Sequence, residues 1–256
     1  MSNLRGKALV TGATSGFGKA IATKLASQGY DVIITGRREE RLESLRKELE
    51  SEYHVNVVPL HFDVRKEVEC TSALMSLGAE WRRIDVLVNN AGLAAGRDPF
   101  DTGSLSDWEQ MIDTNLKGLI YVSRIVVQWM KERQNGTIIN LGSIAGKEVY
   151  PGGNVYSATK FAVDALTRSM RIDLLPHHIR VGQIAPGAAE TEFSLVRFKG
   201  DAEKASQVYE GFEPLHAEDI ADAVWFMVSR PPHVCINDMV IMPAAQATST
   251  HFNRKS

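Results

Sequence analysis

A chain of 256 residues with 44% hydrophobic content suits one large α/β domain that needs no metal or disulfide to hold its core. Its 29 basic and 31 acidic residues leave a net charge of -2, which argues against nucleic-acid and membrane-surface partners. Cys70 and Cys235 are too few for a disulfide framework, and no apolar run approaches the ~18 residues of a membrane span.

Residues 1–7 are short and polar, without the apolar region of a targeting segment, so a cytoplasmic enzyme acting on a small molecule is the expectation. No metal site is expected. From there the chain alternates. Residues 7–10, 31–35, 55–62, 85–89, 137–141, 179–184 and 239–242 are predicted strands. Residues 17–28, 38–52, 67–81, 105–132, 157–175 and 217–229 are predicted helices. In the fifth of these, Phe161, Ala165, Leu166, Ser169 and Ile172 recur at helical spacing. Short apolar strands separated by helices predict a doubly wound, mostly parallel sheet in one domain. Two loops break the rhythm, residues 94–103 and a long insertion at 186–214. Both follow strand carboxyl ends, where open α/β sheets bind ligands.

The first strand runs into Thr11-Gly12-Ala13-Thr14-Ser15-Gly16-Phe17-Gly18 and then a helix. Glycines permit a sharp turn and a close backbone approach, and the helix N-terminus favours a pyrophosphate. The second strand ends in Thr35-Gly36-Arg37-Arg38. A carboxylate there would hold a ribose 2′-hydroxyl. A glycine and two arginines instead leave room and charge for a 2′-phosphate, so NADP(H) is expected over NAD. Solvated first-turn arginines are the plainer alternative. Asp63 reads equally as a helix N-cap or as an acceptor for the adenine amino group. Asn89-Asn90-Ala91-Gly92 closes the fourth strand with side chains that can pin nearby backbone.

Tyr156 and Lys160 stand four apart on one helical face. An ammonium beside a phenol lowers its pKa and fits it for general acid/base work. Ser143, after the fifth strand, offers a hydroxyl to a substrate oxygen. Asn115 sits inside a helical stretch where an amide residue is a mediocre choice, so a functional reason is expected: holding a water that relays protons through Lys160.

With these residues in order, the chain resembles the short-chain dehydrogenase/reductase family over residues 7–242. The resemblance implies a single-domain, seven-stranded Rossmann fold and nicotinamide chemistry. It implies Tyr156 as acid/base, Ser143 as substrate orienter, Lys160 as pKa depressor and ribose ligand, and Asn115 as relay anchor. It places Gly12, Thr14 to Gly18, Arg37, Arg38, Asp63, Val64, Asn90, Ala91 and Gly92 on the cofactor, with Pro186, Gly187, Ala189 and Thr191 against the nicotinamide. It also implies a homotetramer through the helices at 105–132 and 157–175. Ser15 stands where some NADP-preferring members carry a basic residue, so the 2′-phosphate expectation rests on Arg37 and Arg38.

Within the family, residues 35–42, 192–201 and 241–246 are most similar to the NADP-dependent 3-hydroxy acid dehydrogenases that act on serine and allo-threonine. Arg197, in an apolar stretch of the insertion, is the candidate clamp for a substrate carboxylate. A surface or subunit-contact arginine is the alternative. A broad carbonyl reductase or a 3-oxoacyl-carrier-protein reductase would share the four catalytic residues. A nonenzymatic NADP-binding scaffold often loses one of them.

Overall fold

Strand and helix alternate through the computed structural model, which describes residues 6–255. The polar start therefore lies, at residues 1–5, outside the described residues. The order is β1 (Gly6–Val10), α1 (Gly16–Ser27), β2 (Tyr30–Gly36), α2 (Glu39–Tyr53), β3 (Val57–His61), α3 (Glu67–Met75), β4 (Val86–Asn89) and α4 (Leu105–Ile112). There follow α5 (Gly118–Arg133), β5 (Gly136–Leu141), α6 (Asn154–Leu174), β6 (Ile179–Pro186), α7 (Glu192–Arg197), α8 (Ala202–Gln207), α9 (Ala217–Val228) and β7 (Asp238–Ile241). The seven strands are all parallel, in the order β3-β2-β1-β4-β5-β6-β7.

Alternation along the strands builds two cores. Ala8, Val10, Val32, Ile34, Val86 and Val88 face one layer, where Ile21, Leu25, Leu42, Leu49 and Val224 from α1, α2 and α9 cover them. Leu9, Ile33, Leu87 and Ile138 face the other, under Leu74, Val126 and Met130 from α3 and α5. Strand order reverses beside β1 and β4: the chain proceeds to β2 and β3 on one side and to β5, β6 and β7 on the other. A crevice opens there at the strand carboxyl ends. A third apolar cluster, including Leu93, Ala95, Met111, Ala145 and Tyr156, sits at that end.

The structure differs from the sequence expectations in four elements. The helix expected over 105–132 is two α-helices joined by a π-helical segment, Asp113–Lys117. The helix expected over 67–81 ends at Met75, ahead of Gly78. The 186–214 insertion is not irregular, since α7 and α8 form within it, each with a side-chain N-cap from Thr191 and Asp201. Along α6 the stripe of Phe161, Ala165, Ser169 and Ile172 points outward, with Phe161 and Ile172 exposed, while Val163, Thr167 and Leu174 are buried. Both cysteines are free; burial pushes the Cys70 thiol up to about 12. No helix among the described residues is long and apolar enough to cross a membrane.

Close packing of turn on helix is sharpest at Gly18, where a Cβ would overlap the Gly12 carbonyl oxygen and stand 2.5 Å from Asn90 Nδ2. Gly18→Ala should therefore cost ~1–3 kcal/mol of stability by overpacking, seen as a lower Tm in thermal melts. An unchanged Tm would contradict this packing.

Candidate active site

A cavity of about 470 Å³ follows the crevice. At its centre is the glycine turn. Gly12 and Gly16 have φ of +68° and +48°, a region that disfavours any side chain. The turn is tied to the end of β4. Thr11 Oγ1 accepts from the backbone N–H groups of Asn90 and Ala91, both at 3.0 Å. Asn90 Nδ2 donates to the carbonyls of Thr11 at 2.8 Å and Gly12 at 3.1 Å. Gly12, Thr14, Ser15, Gly16, Phe17, Asn90, Ala91 and Gly92 all line the cavity; Gly18 is not in the lining and acts through packing.

One end of the cavity is lined by Arg37, Arg38, Phe62, Asp63 and Val64. Gly36 clears it, because a Cβ there would press 2.7 Å from Thr14 Cγ2. Arg38 is only partly solvated. Its Nε and Nη2 donate to Thr14 Oγ1 at 3.1 and 2.8 Å, and Nη2 donates to Ser15 Oγ at 2.7 Å. Asp63 is not an N-cap, since Lys66 holds that position before α3. Its carboxylate accepts from Arg65 Nε at 2.9 Å and Nη2 at 2.5 Å. Burial opposes its charge, but the Arg65 hydrogen bonds hold the carboxyl below its usual value.

The other end is lined by buried side chains. Tyr156 and Lys160 enter from the first turns of α6, both buried, with the Lys160 Nζ 5.9 Å from the Tyr156 ring centroid. Nζ donates to the Leu141 carbonyl at 2.9 Å. Burial lowers the Lys160 pKa to about 8. Tyr156 departs from expectation: burial raises its pKa well above the ordinary phenol value, while a hydrogen bond with Ser143 and the charge of Arg197 pull it down. Ser143 Oγ also accepts from the Ala145 N–H at 3.1 Å; the residue is not in the cavity lining but hydrogen-bonds to Tyr156, which is.

Asn115 lies in the π-helical segment, a distortion that commonly marks functional positions. Its Oδ1 accepts from the Leu93 N–H at 2.8 Å, and its Nδ2 donates to the Leu93 carbonyl at 2.8 Å and to Thr159 Oγ1 at 3.1 Å. Both amide hydrogens are thus taken, and the side chain clamps the loop after β4.

Over this end lies α7. Thr191, Glu192, Phe193 and Val196 line the cavity, and the Phe193 ring is 5.7 Å from that of Tyr156. Pro186, Gly187 and Ala189 do not line it. Gly187 and Ala188 are held from behind, by the Ile241 carbonyl at 2.7 Å and by Gln246 Oε1 at 2.8 Å, and Ala189 packs on the first core. The Arg197 guanidinium lies 5.4 Å from the Tyr150 ring centroid and 5.8 Å from that of Tyr156. Its Nε donates to the Gly96 carbonyl at 3.3 Å, but its Nη2 is buried without a hydrogen-bond partner among the described residues. Sequence reasoning missed Leu93, Leu141 and Gly142 in the lining, for which nothing but strand-end position gives a signal, and Thr114, which stands beside Asn115 in the π-helical segment. It also missed Glu192, whose carboxylate joins Arg38 and Arg41.

The short chain dehydrogenase family matches residues 6–201 of this chain. An NADP-dependent 3-hydroxy acid dehydrogenase of Salmonella typhi is 51% identical over 240 residues, spanning 93% of this chain and 95% of its own length. A protein of the same description from Escherichia coli strain K12 is 48% identical over the same shares. A solved structure described as the closed form of serine dehydrogenase complexed with NADP+ aligns with a TM-score of 0.90 at 47% identity, covering 98% of this chain and 100% of its own.

Between pH 8 and the ordinary lysine pKa, the unfolded chain holds a proton on Lys160 that the folded chain has released, so this group makes stability rise with pH in that window. Lys160→Met should flatten that rise, by up to about 3 kcal/mol. Denaturant titrations of both proteins across the window check it. Parallel profiles would contradict the buried ammonium.

Proposed function

The chain belongs to the short-chain dehydrogenase family, and we propose that it moves hydride between NADP(H) and a small 3-hydroxy acid or 3-oxo acid of the serine or allo-threonine type. The relatives named for that activity support it, being about half identical over nearly the whole chain. The observation that carries the substrate class is the buried, unpartnered Nη2 of Arg197 beside Tyr156. A buried charged donor without a partner is costly, and a carboxylate satisfies it with a charge-assisted bond. An uncharged ketone or alcohol leaves it unmet, which disfavours a broad carbonyl reductase. With Asn115, Ser143, Tyr156 and Lys160 all present, a nonenzymatic scaffold is disfavoured too.

The residues fit the cofactor. The positive-φ glycines and the start of α1 suit the pyrophosphate, Arg37 and Arg38 the 2′-phosphate, Asp63 and Val64 the adenine, and Asn90 to Gly92 with Lys160 the nicotinamide ribose. NADP(H), when bound, supplies the hydride or accepts it. The chain's own residues manage the proton and the geometry. Tyr156, kept neutral by burial, donates its hydroxyl proton to the substrate oxygen during reduction and recovers it in the reverse direction. Ser143 orients that oxygen. Lys160, mostly charged at neutral pH, holds the ribose side. Asn115 fixes the Leu93 backbone against which the substrate end of the cavity is built. The 186–214 insertion supplies the cover through α7, and the Pro186, Gly187 and Ala189 backbone leads into it.

A cytoplasmic location and a homotetramer are part of the same reading. The tetramer is supported by the outward apolar stripe on α6, where Phe161 and Ile172 are exposed, together with the exposed Ile120 on α5 and Leu105 on α4.

Two variants test the proposal. Arg197→Met should raise KM for a 3-hydroxy acid by about 10- to 100-fold, the worth of a charge-assisted bond, with little change for an uncharged secondary alcohol. Equal losses on both would sink the clamp. Arg37→Ala and Arg38→Ala should each weaken NADP while sparing NAD in direct binding titrations; an unchanged NADP-to-NAD ratio would refute the 2′-phosphate assignment.

A further inference from the structure

The Arg197 side chain makes few polar contacts. Its Nε donates to the Gly96 carbonyl at 3.3 Å, and its Nη2 is buried with no hydrogen-bond partner among the described residues. A single hydrogen bond does little to fix so long a side chain. What else surrounds the guanidinium is aromatic: the Tyr150 ring centroid lies 5.4 Å away and that of Tyr156 5.8 Å. A guanidinium over a ring within about 6 Å is attracted by the negative face of the π-system, more strongly as water is excluded. Tyr156 is committed to the proton. Tyr150 has no part in that chemistry and does not line the cavity. It is nonetheless firmly seated. Half-buried, it packs on the apolar cluster of Leu93, Met111 and Tyr156. Its ring lies against Gly153, where a Cβ would stand 2.6 Å from the ring Cζ, and the Gly153 N–H donates back to the Tyr150 carbonyl at 3.0 Å. The Arg97 guanidinium also lies over the ring, 5.8 Å from its centroid. The loop after β4 thus touches Arg197 through Gly96 and Tyr150 through the next residue.

We propose that Tyr150 is a specificity-determining positioning residue: its ring holds the Arg197 guanidinium so that the unpartnered Nη2 faces the carboxylate of a 3-hydroxy acid. This rests on the carboxylate clamp proposed for Arg197 and deepens it. A guanidinium ordered in advance spares the bound complex the entropy of ordering it. The gain reaches only substrates that use the guanidinium, so the ring favours hydroxy acids over uncharged alcohols without touching either. Cation–π contacts change affinity by about two- to thirty-fold, with the upper end at desolvated sites such as this one.

The test compares the full chain as wild type, Tyr150→Phe, Tyr150→Leu, Tyr150→Met and Arg197→Met, each with NADP and either 3-hydroxybutyrate or 2-butanol. The readout is the ratio of the two KM values, with kcat measured alongside. Tyr150→Leu should raise the KM for 3-hydroxybutyrate about two- to thirty-fold relative to that for 2-butanol, with kcat on the hydroxy acid changed less than KM. Tyr150→Met, unbranched and able to fill the same space, should do the same and replaces Tyr150→Leu if that variant does not fold. Tyr150→Phe keeps the ring and should keep the wild-type ratio. A merely structural role would move both substrates together. If Arg197→Met raises the ratio while Tyr150→Leu and Tyr150→Met leave it unchanged, the positioning role is overturned and the clamp survives. If Tyr150→Phe loses as much as Tyr150→Leu, the hydroxyl acts rather than the ring, and the proposal is overturned as well. An Arg197→Met ratio equal to wild type would overturn the clamp, and the role of Tyr150 with it.

Discussion

β1 and β4 lie side by side, and the chain turns away from them in opposite directions. No crossover helix can seal the carboxyl ends at that point, so a crevice must open there. The backbone leaving both strands would lose its ladder partners at the same place. Thr11 and Asn90 meet that need by bonding across the gap, which sets the glycine turn at a fixed distance from the loop after β4. Asn115 repeats the device one layer out, gripping Leu93 at both its N–H and its carbonyl. The π-helical segment that carries Asn115 gives up regular helical bonding, and the clamp on Leu93 is what it delivers in return.

The two ends of the cleft recognise charge by opposite physics. At the adenosine end Arg38 is half-exposed and bonded to Thr14, Ser15 and Glu192. At the chemical end Tyr156 and Lys160 are buried, and so is the Nη2 of Arg197. Burial raises the phenol, lowers the ammonium and leaves the guanidinium one bond short. An anionic substrate with an oxygen at Tyr156 relieves the last of these directly. The low-dielectric surroundings that disfavour the empty arrangement also strengthen each contact once it forms. α7 joins the two ends, since Glu192, Phe193, Val196 and Arg197 belong to one short helix.

The fold was legible because its signals are periodic. Strands such as Val32-Ile33-Ile34 alternate between two cores, and the all-parallel order follows from helices filling every gap. The glycine turn, Tyr156 and Lys160 were legible because their spacing along one element is also their spacing in space. Contacts between distant segments were not. Nothing in the order of residues announces that Glu192 meets Arg38, 154 positions away, or that Asn115 spends its amide on Leu93. The burial that reverses the expected shift of Tyr156 is likewise a property of packing. The outward stripe on α6 shows the limit of periodicity itself: helical spacing of apolar residues marks a buried face, without saying whether this chain or a neighbouring one buries it.

This cleft pairs a phosphorylated nicotinamide cofactor with an anionic alcohol. The most direct measurement is kcat/KM of the unaltered protein for 3-hydroxybutyrate and for 2-butanol, each with NADP and with NAD, followed by the absorbance of the reduced cofactor. 3-Hydroxybutyrate with NADP should exceed the other three combinations, by about 10-fold or more over the uncharged alcohol. Equal turnover of the two alcohols, or a preference for NAD, would contradict it.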